Sequence, residues 1–250
     1  MDSVQTLIRA SRVHPEWQAL LTEALSTLDG SYAQELIDDR NWLPGCDNLL
    51  AAFRRDLKDV RYLLIGESPY PRQQSANGIA FYDAAVGDLW SDNGLSKSVN
   101  RATSMRNILK TALLAEGRLE PNAEGKVTQA SIAKIDKTHL VQTMSDLFGN
   151  LHQRGFLMLN ATPVLHPARK PAKEAIFWQA FLQRLLSLLS DSSSQPVTLI
   201  LWGKIAENIE ALPAASRYQK LVSEHPYNLS FINNTIMLDF FGKLKILQRN

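Results

Sequence analysis

The sequence RYLLIGESPYPRQQSANGIAF, at positions 61–81, starts as an apolar strand and continues as a segment without helical or strand periodicity. The apolar run at positions 62–65 is typical of a β-strand that enters a hydrophobic core. Gly66 ends this run, and a carboxylate, a hydroxyl group and two prolines around a tyrosine follow at positions 67–71. The segment therefore predicts a buried strand with polar side chains just beyond its carboxyl end.

Three later segments have a similar character, at positions 156–160, 197–202 and 220–225. The first two are near-continuous apolar runs, which suit strands covered on both faces, whereas the third is mixed and fits an edge strand. Helical patterns lie between the strands. Because strands that alternate with helices form parallel sheets with right-handed crossovers, the order of elements predicts an α/β fold with three layers, α/β/α.

Apolar residues recur at steps of three and four in several segments, which predicts helices. In the segment 103–117, we expect Thr103 or Ser104 to be the N-cap of the helix and Gly117 to end it. Positions 116–139 read as a solvated connection with some helix. The other predicted helices lie at positions 15–37, 173–190 and 204–213.

The composition limits the classes of protein to which this chain can belong. The chain has 250 residues, of which 45% are hydrophobic, and this is enough for one large domain or two small ones. Its 27 Lys and Arg against 25 Asp and Glu give a net charge of only +2, so bulk charge does not indicate a nucleic-acid binder. A local basic face is compatible with this balance.

The number of cysteines limits the disulfides and metal sites that the chain can form. Cys46 is the single cysteine, which excludes an intrachain disulfide, an iron–sulfur cluster and a thiolate zinc site. This usage fits the reducing cytoplasm, and we expect no cofactor and no metal. The N-terminus lacks the apolar core of a signal peptide, and no apolar run approaches about 18 residues, so no membrane span is expected.

Polar residues follow all four predicted strands. Glu67, Ser68 and Tyr70 follow the first strand, Asn160 ends the second, Lys204 follows the third, and His225 ends the fourth. In open parallel sheets, ligands bind beyond the carboxyl ends of the strands, so a shared cleft is expected to collect these side chains. A carboxylate, an amide and an imidazole suffice for acid–base or anion-stabilising chemistry.

The order and spacing of the strand-end motifs resemble those of the main family of uracil-DNA glycosylases. That family carries G-Q-D-P-Y, G-[LI]-x-F, L-L-L-N, L-L-W-G and H-P-S-P-L-S motifs, and the resemblance covers roughly residues 60–240. The segment ATSMRNILK also looks like the family's P-P-S-L-x-N-I. The matching segments here are, in order, GESPYP (66–71), GIAF (78–81), LMLN (157–160), LILWGK (199–204) and HPYNLS (225–230).

The resemblance implies a four-stranded parallel sheet between helices and a glycosylase that flips a nucleotide out of DNA. Asn160 matches the asparagine that pairs with the uracil edge. Phe81 matches the aromatic residue on which the base stacks. Tyr70 matches the tyrosine that occupies the space a thymine methyl group needs. Taken singly, each residue has an ordinary structural explanation, and only their joint placement favours a base pocket.

The resemblance also implies contacts to the leaving group and to DNA. His225 matches the histidine that hydrogen-bonds a uracil carbonyl and stabilises the departing anion. Leu229 matches the leucine wedge that fills the gap left in the base stack. Ser104 matches a phosphate contact at a helix N-terminus.

Basic residues flank the matched motifs, and we expect several of them, Arg169 and Lys170 in particular, to line the DNA face. The alternative is that these side chains lie on the solvent-exposed faces of helices and do not contact DNA. The set is Arg72, Lys97, Arg101, Arg106, Lys110, Arg169, Lys170 and Lys173.

Two motifs depart from the family pattern. Ser68 stands where the family has the aspartate that positions the attacking water and faces the sugar cation. The carboxylate lies one position earlier, at Glu67, as in the G-E-A-P-G branches of the superfamily. In the last loop, Tyr227 replaces a serine that contacts phosphate, and a tyrosine there is able either to donate to phosphate or to block the backbone path.

Three interpretations follow. In the first, which we favour, the protein hydrolyses the N-glycosidic bond of uracil or a related damaged base, with Glu67, Ser68 and His225 in the catalytic site. In the second, it is a catalytically impaired DNA-binding relative. In the third, it is a nucleotide- or sugar-binding enzyme on a general α/β scaffold, which predicts no salt-sensitive DNA binding.

The expected organisation is a single domain over residues 1–250, with an N-terminal helical part at 1–58 and the core match at 60–240. The expected partner is single- or double-stranded DNA that contains uracil. A cytoplasmic monomer without metal or membrane contact suffices for this activity.

Overall fold

A computed structural model describes residues 3–249. The fold is α/β, with a central sheet of four parallel strands in the order β4-β1-β5-β6 and helices around it, as the sequence predicts. Strands β2 and β3 form a separate antiparallel hairpin. The strands are β1 Tyr62–Gly66, β2 Trp90–Ser91, β3 Gly94–Leu95, β4 Phe156–Asn160, β5 Thr198–Trp202 and β6 Gln219–Ser223.

Helices lie in each segment where the apolar periodicity predicts them, at 15–37, 103–117, 173–190 and 204–213. The helices at Ser3–Ser11, Lys97–Arg101, Met144–Gln153 and Thr235–Leu244 lie outside the predicted segments. The longest, α8, spans 22 residues and begins with a proline, whose fixed φ suits the first helical position. The helices are α1 Ser3–Ser11, α2 Gln18–Leu25, α3 Gly30–Asp38, α4 Lys97–Arg101, α5 Thr103–Ala115, α6 Gln129–Ala133, α7 Met144–Gln153, α8 Pro171–Ser192, α9 Ile205–Glu210 and α10 Thr235–Leu244.

The central position of β1 sets the register of the sheet. Tyr62 lies opposite Phe156 on one side and Thr198 on the other, and Gly66 lies opposite Asn160. The strand is buried after its first residue. The more exposed β6 is an edge strand, as its mixed sequence predicts. The register therefore places the last residues of β1 and β4 side by side.

The start of α5 differs from the prediction. Its N-cap is Ala102, which supplies no side-chain hydrogen bond, and Thr103 and Ser104 lie inside the first turn. The short helix α4 ends at Arg101, directly before this residue, so the chain turns from one helix into the next without room for a separate capping residue. Gly117 has φ of +64° and follows the helix end, as predicted.

The chain forms two compact units, and the expectation of a single domain stays a prediction. The first unit comprises Met1–Tyr82, Gly155–Leu201 and Ile205–Leu221. Its core joins α1–α3 and α8 to the sheet residues, and α2 packs on α8. Trp17 and Trp178 are completely buried in this core.

The second unit comprises Asp83–Arg154, Trp202–Lys204 and Val222–Asn250. Within it, α5 packs against α10 and against the short 3₁₀ helix at Leu229–Asn233. The connection at 116–139 contains α6, which packs on β3. None of the helices within residues 3–249 has the length and apolar character required to cross a membrane.

Candidate functional site

The carboxyl ends of β1 and β4 build a small cluster around Gly66. A Cβ atom on Gly66 would lie 2.8 Å from Oδ1 of Asn160, 3.0 Å from Cβ of Ala80 and 3.5 Å from Cε2 of Phe81. These groups therefore occupy the space that any other residue at position 66 requires. Because Gly66 has no side chain, the amide of Asn160 and the ring of Phe81 are able to approach each other beside the end of the strand.

Phe81 is held in an unusual backbone conformation. Its φ is +63°, in the left-handed region that costs a non-glycine residue about 1–3 kcal/mol and that clusters at functional sites. The neighbouring Ala80 N–H donates to the carbonyl of Met158 on β4 at 3.3 Å. The hydroxyl of Tyr70 donates to the carbonyl of Phe81 at 3.4 Å. Tyr70, Phe81 and Asn160 thus belong to one connected cluster within the first unit.

Glu67 and Ser68 extend from the same strand end. The backbone of Glu67 is fixed because its carbonyl accepts from the Thr162 N–H at 3.0 Å, which continues the β1–β4 ladder beyond the strands. Its side chain is exposed, whereas Ser68 is half-buried. Both residues line a groove of about 460 Å³ whose other wall contains Ile176 and Ile205. The exposed side chain of Glu67 therefore lines this groove, and the amide and aromatic cluster surrounds the preceding residue, Gly66.

The loop at 225–230 belongs to the second unit and fixes the histidine ring. The backbone N–H of Tyr227 donates to Nδ1 of His225 at 3.0 Å, so the neutral ring carries its proton on Nε2. Gly203, with φ of +75°, lies against this residue, since a Cβ atom there would approach Cβ of His225 to 2.7 Å. The ring is therefore oriented as a hydrogen-bond donor through Nε2.

Two large apolar side chains on the same loop face solvent. Tyr227 is 67% exposed and Leu229 is 69% exposed. Neither side chain contributes to a core, so both are accessible on the surface of the loop. Ser104 lies half-buried in the first turn of α5, at a helix N-terminus that has no side-chain cap.

Arg169 and Lys170 have different surroundings. Nη1 of Arg169 contacts Oε2 of Glu174 at 2.8 Å, and Nη2 contacts Oε1 of Glu35 at 2.5 Å. The hydrogen bond to Glu174 raises the pKa of Arg169. Its guanidinium also lies over the ring of Tyr32 at 5.5 Å. Arg169 therefore joins the loop after β4 to α3, whereas Lys170 is exposed at the start of α8.

The sequence analysis assigned no role to Asn107, although it lies within the motif ATSMRNILK. Its side chain is completely buried in α5, and its amide donates to backbone carbonyls of the loop that carries His225. The available signal was a polar residue on the apolar face of an amphipathic helix. The acceptor carbonyls lie more than a hundred residues away, and no sequence pattern identifies them.

The predicted site residues thus fall in both units. The first unit holds Glu67, Ser68, Tyr70, Phe81, Asn160, Arg169 and Lys170. It brings Phe81 and Asn160 together at Gly66, and Tyr70 joins them through its hydrogen bond to the Phe81 carbonyl. The second unit holds Ser104, His225, Tyr227 and Leu229. Within residues 3–249, no group of three His, Cys, Asp or Glu side chains is arranged to hold a metal ion. The Asn160 amide and the Phe81 ring meet at the carboxyl-end edge of a parallel sheet, the edge at which α/β proteins bind ligands.

Comparison with known proteins agrees with this class. The fold matches the wild-type UNG crystal structure from Nitratifractor salsuginis with a TM-score of 0.92 and 38% sequence identity, covering 98% of this chain and 97% of the other. The uracil-DNA glycosylase of Tropheryma whipplei is 25% identical over all of this chain and 93% of its own length. That of a Nocardioides species is 26% identical, again over all of this chain, and covers 92% of its own length.

Mimivirus uracil-DNA glycosylase shares the fold, with a TM-score of 0.58 at 16% sequence identity. This match covers 90% of the present chain and 72% of the mimivirus chain. No protein-family model matches the chain. The full-length match at 38% identity decides the assignment: the chain belongs to the uracil-DNA glycosylase superfamily. It is accordingly a member of a family of DNA glycosylases, which are glycosyl hydrolases.

Proposed function

We propose that the protein hydrolyses the N-glycosidic bond of uracil in DNA and that Glu67 supplies the catalytic carboxylate. The observation that carries this proposal is the approach of Phe81 and Asn160 at Gly66, with Tyr70 hydrogen-bonded to the Phe81 carbonyl and Glu67 next to Gly66 in the chain. The positive φ of Phe81, a costly conformation that clusters at functional sites, supports a base pocket at this position.

The cluster has the chemistry to hold uracil. An asparagine amide offers both donors and an acceptor, which complement the N3–H and O4 edge of the base. The Phe81 ring offers a stacking face, and such stacking contributes about 1–3 kcal/mol per base. The hydrogen bond from Tyr70 to the Phe81 carbonyl holds the tyrosine ring in the cluster, where its bulk excludes the methyl group of thymine.

The reaction then needs a water and a negative charge on the sugar side of the base. In the proposed step, a water oxygen attacks C1′ of the deoxyribose, the C1′–N1 bond breaks, and its electron pair leaves with uracil. Glu67 accepts the proton of the water and offsets the positive charge that develops on the sugar. Its carboxylate must face the sugar, because the departing base is an anion.

His225 is proposed to stabilise that anion. Because Nδ1 accepts from the Tyr227 N–H, the neutral imidazole presents an Nε2–H donor, which suits a carbonyl oxygen that gains negative charge. Leu229, which is 69% exposed, is proposed as the wedge that replaces the flipped nucleotide in the stack. A cytoplasmic monomer suffices for this mechanism.

One observation favours a second candidate function. Ser68 carries no charge and replaces the family's aspartate, so the alternative is a protein that binds DNA and a flipped base without efficient excision. The two functions are separated by incubating the purified protein with a single-stranded oligonucleotide that contains uracil, followed by alkali. Strand cleavage supports the proposed glycosylase; tight DNA binding without cleavage at high enzyme concentration supports the alternative.

A further inference from the structure

The loop that carries His225 is tied to α5 by one buried amide. Nδ2 of Asn107 lies 2.7 Å from the carbonyl oxygen of Pro226, 3.3 Å from that of Asn228 and 3.5 Å from that of Tyr227. Asn107 is completely buried. Its two N–H groups therefore face three carbonyls of this loop.

The orientation of this amide is unambiguous. A flipped amide would place Oδ1 against three carbonyl oxygens, and four acceptors without a proton between them repel one another. In the observed orientation, Oδ1 has no hydrogen-bond partner among the described residues.

The decisive feature is a single peptide group. The peptide that joins Pro226 to Tyr227 has its C=O bonded to Nδ2 of Asn107 at 2.7 Å and its N–H bonded to Nδ1 of His225 at 3.0 Å. In a trans peptide these two groups point in opposite directions. The peptide plane is therefore clamped between Asn107 and the histidine ring.

We infer that Asn107 is a positioning residue, which fixes the ring orientation and the tautomer of His225 through the Pro226–Tyr227 peptide. Donation to the carbonyl polarises the peptide and strengthens its N–H as a donor to Nδ1. The proton of the neutral ring is thereby kept on Nε2. This inference deepens the proposed function and rests on it for the consequence in catalysis, but the tautomer itself does not depend on any activity.

A second contact from α5 supports the same loop. Oγ1 of Thr111, one turn after Asn107, donates to the carbonyl of Asn107 at 2.9 Å and lies 3.3 Å from the carbonyl of Phe231. Thr111 is also completely buried. The helix thus holds both ends of the segment 226–231, and Asn107 is the member that reaches the peptide next to His225.

The test compares Asn107→Ala with Asn150→Ala in the full chain. Asn150 is a matched control, because it is also a buried asparagine of the second unit whose Nδ2 donates to two carbonyls, those of Ile246 at 3.1 Å and Gln248 at 2.7 Å. Both variants should lose stability. Asn107→Leu, which fills the volume of the amide, serves as a second variant if the alanine substitution prevents folding.

The readout is the tautomer of His225, measured from its ring ¹⁵N chemical shifts at a pH where the ring is neutral. We expect the wild type and Asn150→Ala to show the Nε2–H form, and the Asn107 variants to show a mixture of the two tautomers. A wild-type tautomer in both Asn107 variants would overturn the inference. This result is obtained whether or not the protein excises uracil.

If excision occurs, the kinetic readout follows. Loss of the oriented donor should lower kcat by about 10-fold or more in the Asn107 variants, part of the roughly 100-fold that a positioned proton-transfer group contributes at the low end, with KM nearly unchanged. Asn150→Ala should keep its kcat. An equal kcat for Asn107→Ala and Asn150→Ala, at temperatures where both are folded, would contradict a role beyond stability.

Discussion

Oδ1 of Asn160 lies 2.8 Å from the position that a Cβ atom on Gly66 would occupy. The two residues are register partners at the ends of adjacent parallel strands, so the approach is set by the sheet itself. The absence of a side chain at position 66 is what allows an amide to stand beside the strand end. Gly66, which ends the apolar run in the sequence, therefore sets the position of the amide that is proposed to recognise the base.

Gly66→Ala should therefore damage recognition more than folding. The amide of Asn160 is the flexible end of a side chain, so it will move away from the new methyl group, and a displacement of about 1 Å costs about 100-fold in rate. The measurement is kcat/KM for uracil excision beside the melting temperature. Gly87→Ala is the control, because a Cβ atom there meets nothing within 4 Å. Equal activity in both variants would contradict this account of the pocket.

Leu229 should contribute to the excision rate only on duplex DNA, where a flipped nucleotide leaves a gap in the base stack. Leu229→Ala is expected to slow excision from duplex DNA and to leave excision from single strands unchanged, since only the duplex needs a wedge. Stability should change by less than about 0.5 kcal/mol, because the side chain is 69% exposed. Ile236→Ala, which removes a 46% exposed side chain of α10, is the control and should affect neither substrate.

Substitutions of Arg169 and Lys170 should have different effects: the first should lower the free energy of unfolding, and the second should weaken DNA binding. Arg169→Ala leaves the completely buried Glu174 without its cation, and removing one partner of such a pair costs about 3 kcal/mol. Urea unfolding measures this loss. Lys170→Ala should leave the free energy of unfolding unchanged and reduce the salt dependence of DNA binding by about one counterion. A stable Arg169→Ala variant with weakened DNA binding would reverse these assignments.

Glu116 should make stability depend on pH. Burial raises the pKa of its carboxyl above 4.5, although Oε1 accepts from the Leu247 N–H at 2.7 Å and basic groups oppose the shift. The protonated form is therefore favoured in the folded state, so this contribution is fully present below the unfolded pKa and is lost as pH rises through the folded pKa.

Glu116→Gln keeps a neutral side chain with a carbonyl oxygen for the Leu247 N–H at every pH. We expect the variant to be more stable than the wild type at neutral pH, and the difference to vanish below pH 4.5, where the wild-type carboxyl is protonated in both states. Denaturant unfolding of the two proteins across this range measures the effect. A variant that is less stable than the wild type at neutral pH contradicts the sign.

The strands were predictable because their signal is local. The apolar runs at 62–65 and 156–160 correspond to β1 and β4 within a residue or two, since a strand covered on both faces has no polar alternation to obscure it. The site residues that sit at strand ends follow from the same pattern, because parallel strands bring their carboxyl ends to one edge. Asn160 beside Gly66 is the direct consequence.

The features that the sequence does not predict depend on contacts between segments that are distant in the chain. The left-handed conformation of Phe81 is imposed by its neighbours and has no local glycine signal. Arg169 looked like a basic residue beside a DNA motif, and its two carboxylate partners lie on α3 and α8. Asn107 lies in a helix whose amphipathic pattern explains its position but not its three carbonyl partners. Ala102 became the N-cap because α4 ends just before it.

The central claim is that Glu67 has taken over the role of the missing aspartate. The most direct test is the single-turnover rate of uracil release from a single-stranded oligonucleotide, measured for the wild type and for Glu67→Gln under identical conditions. The account predicts release by the wild type and a loss of about 100-fold to 10,000-fold in the variant, the range expected for a catalytic acid–base group. An unchanged rate in Glu67→Gln would remove Glu67 from the mechanism, and no release by excess wild-type enzyme that binds the DNA tightly would contradict the claim altogether.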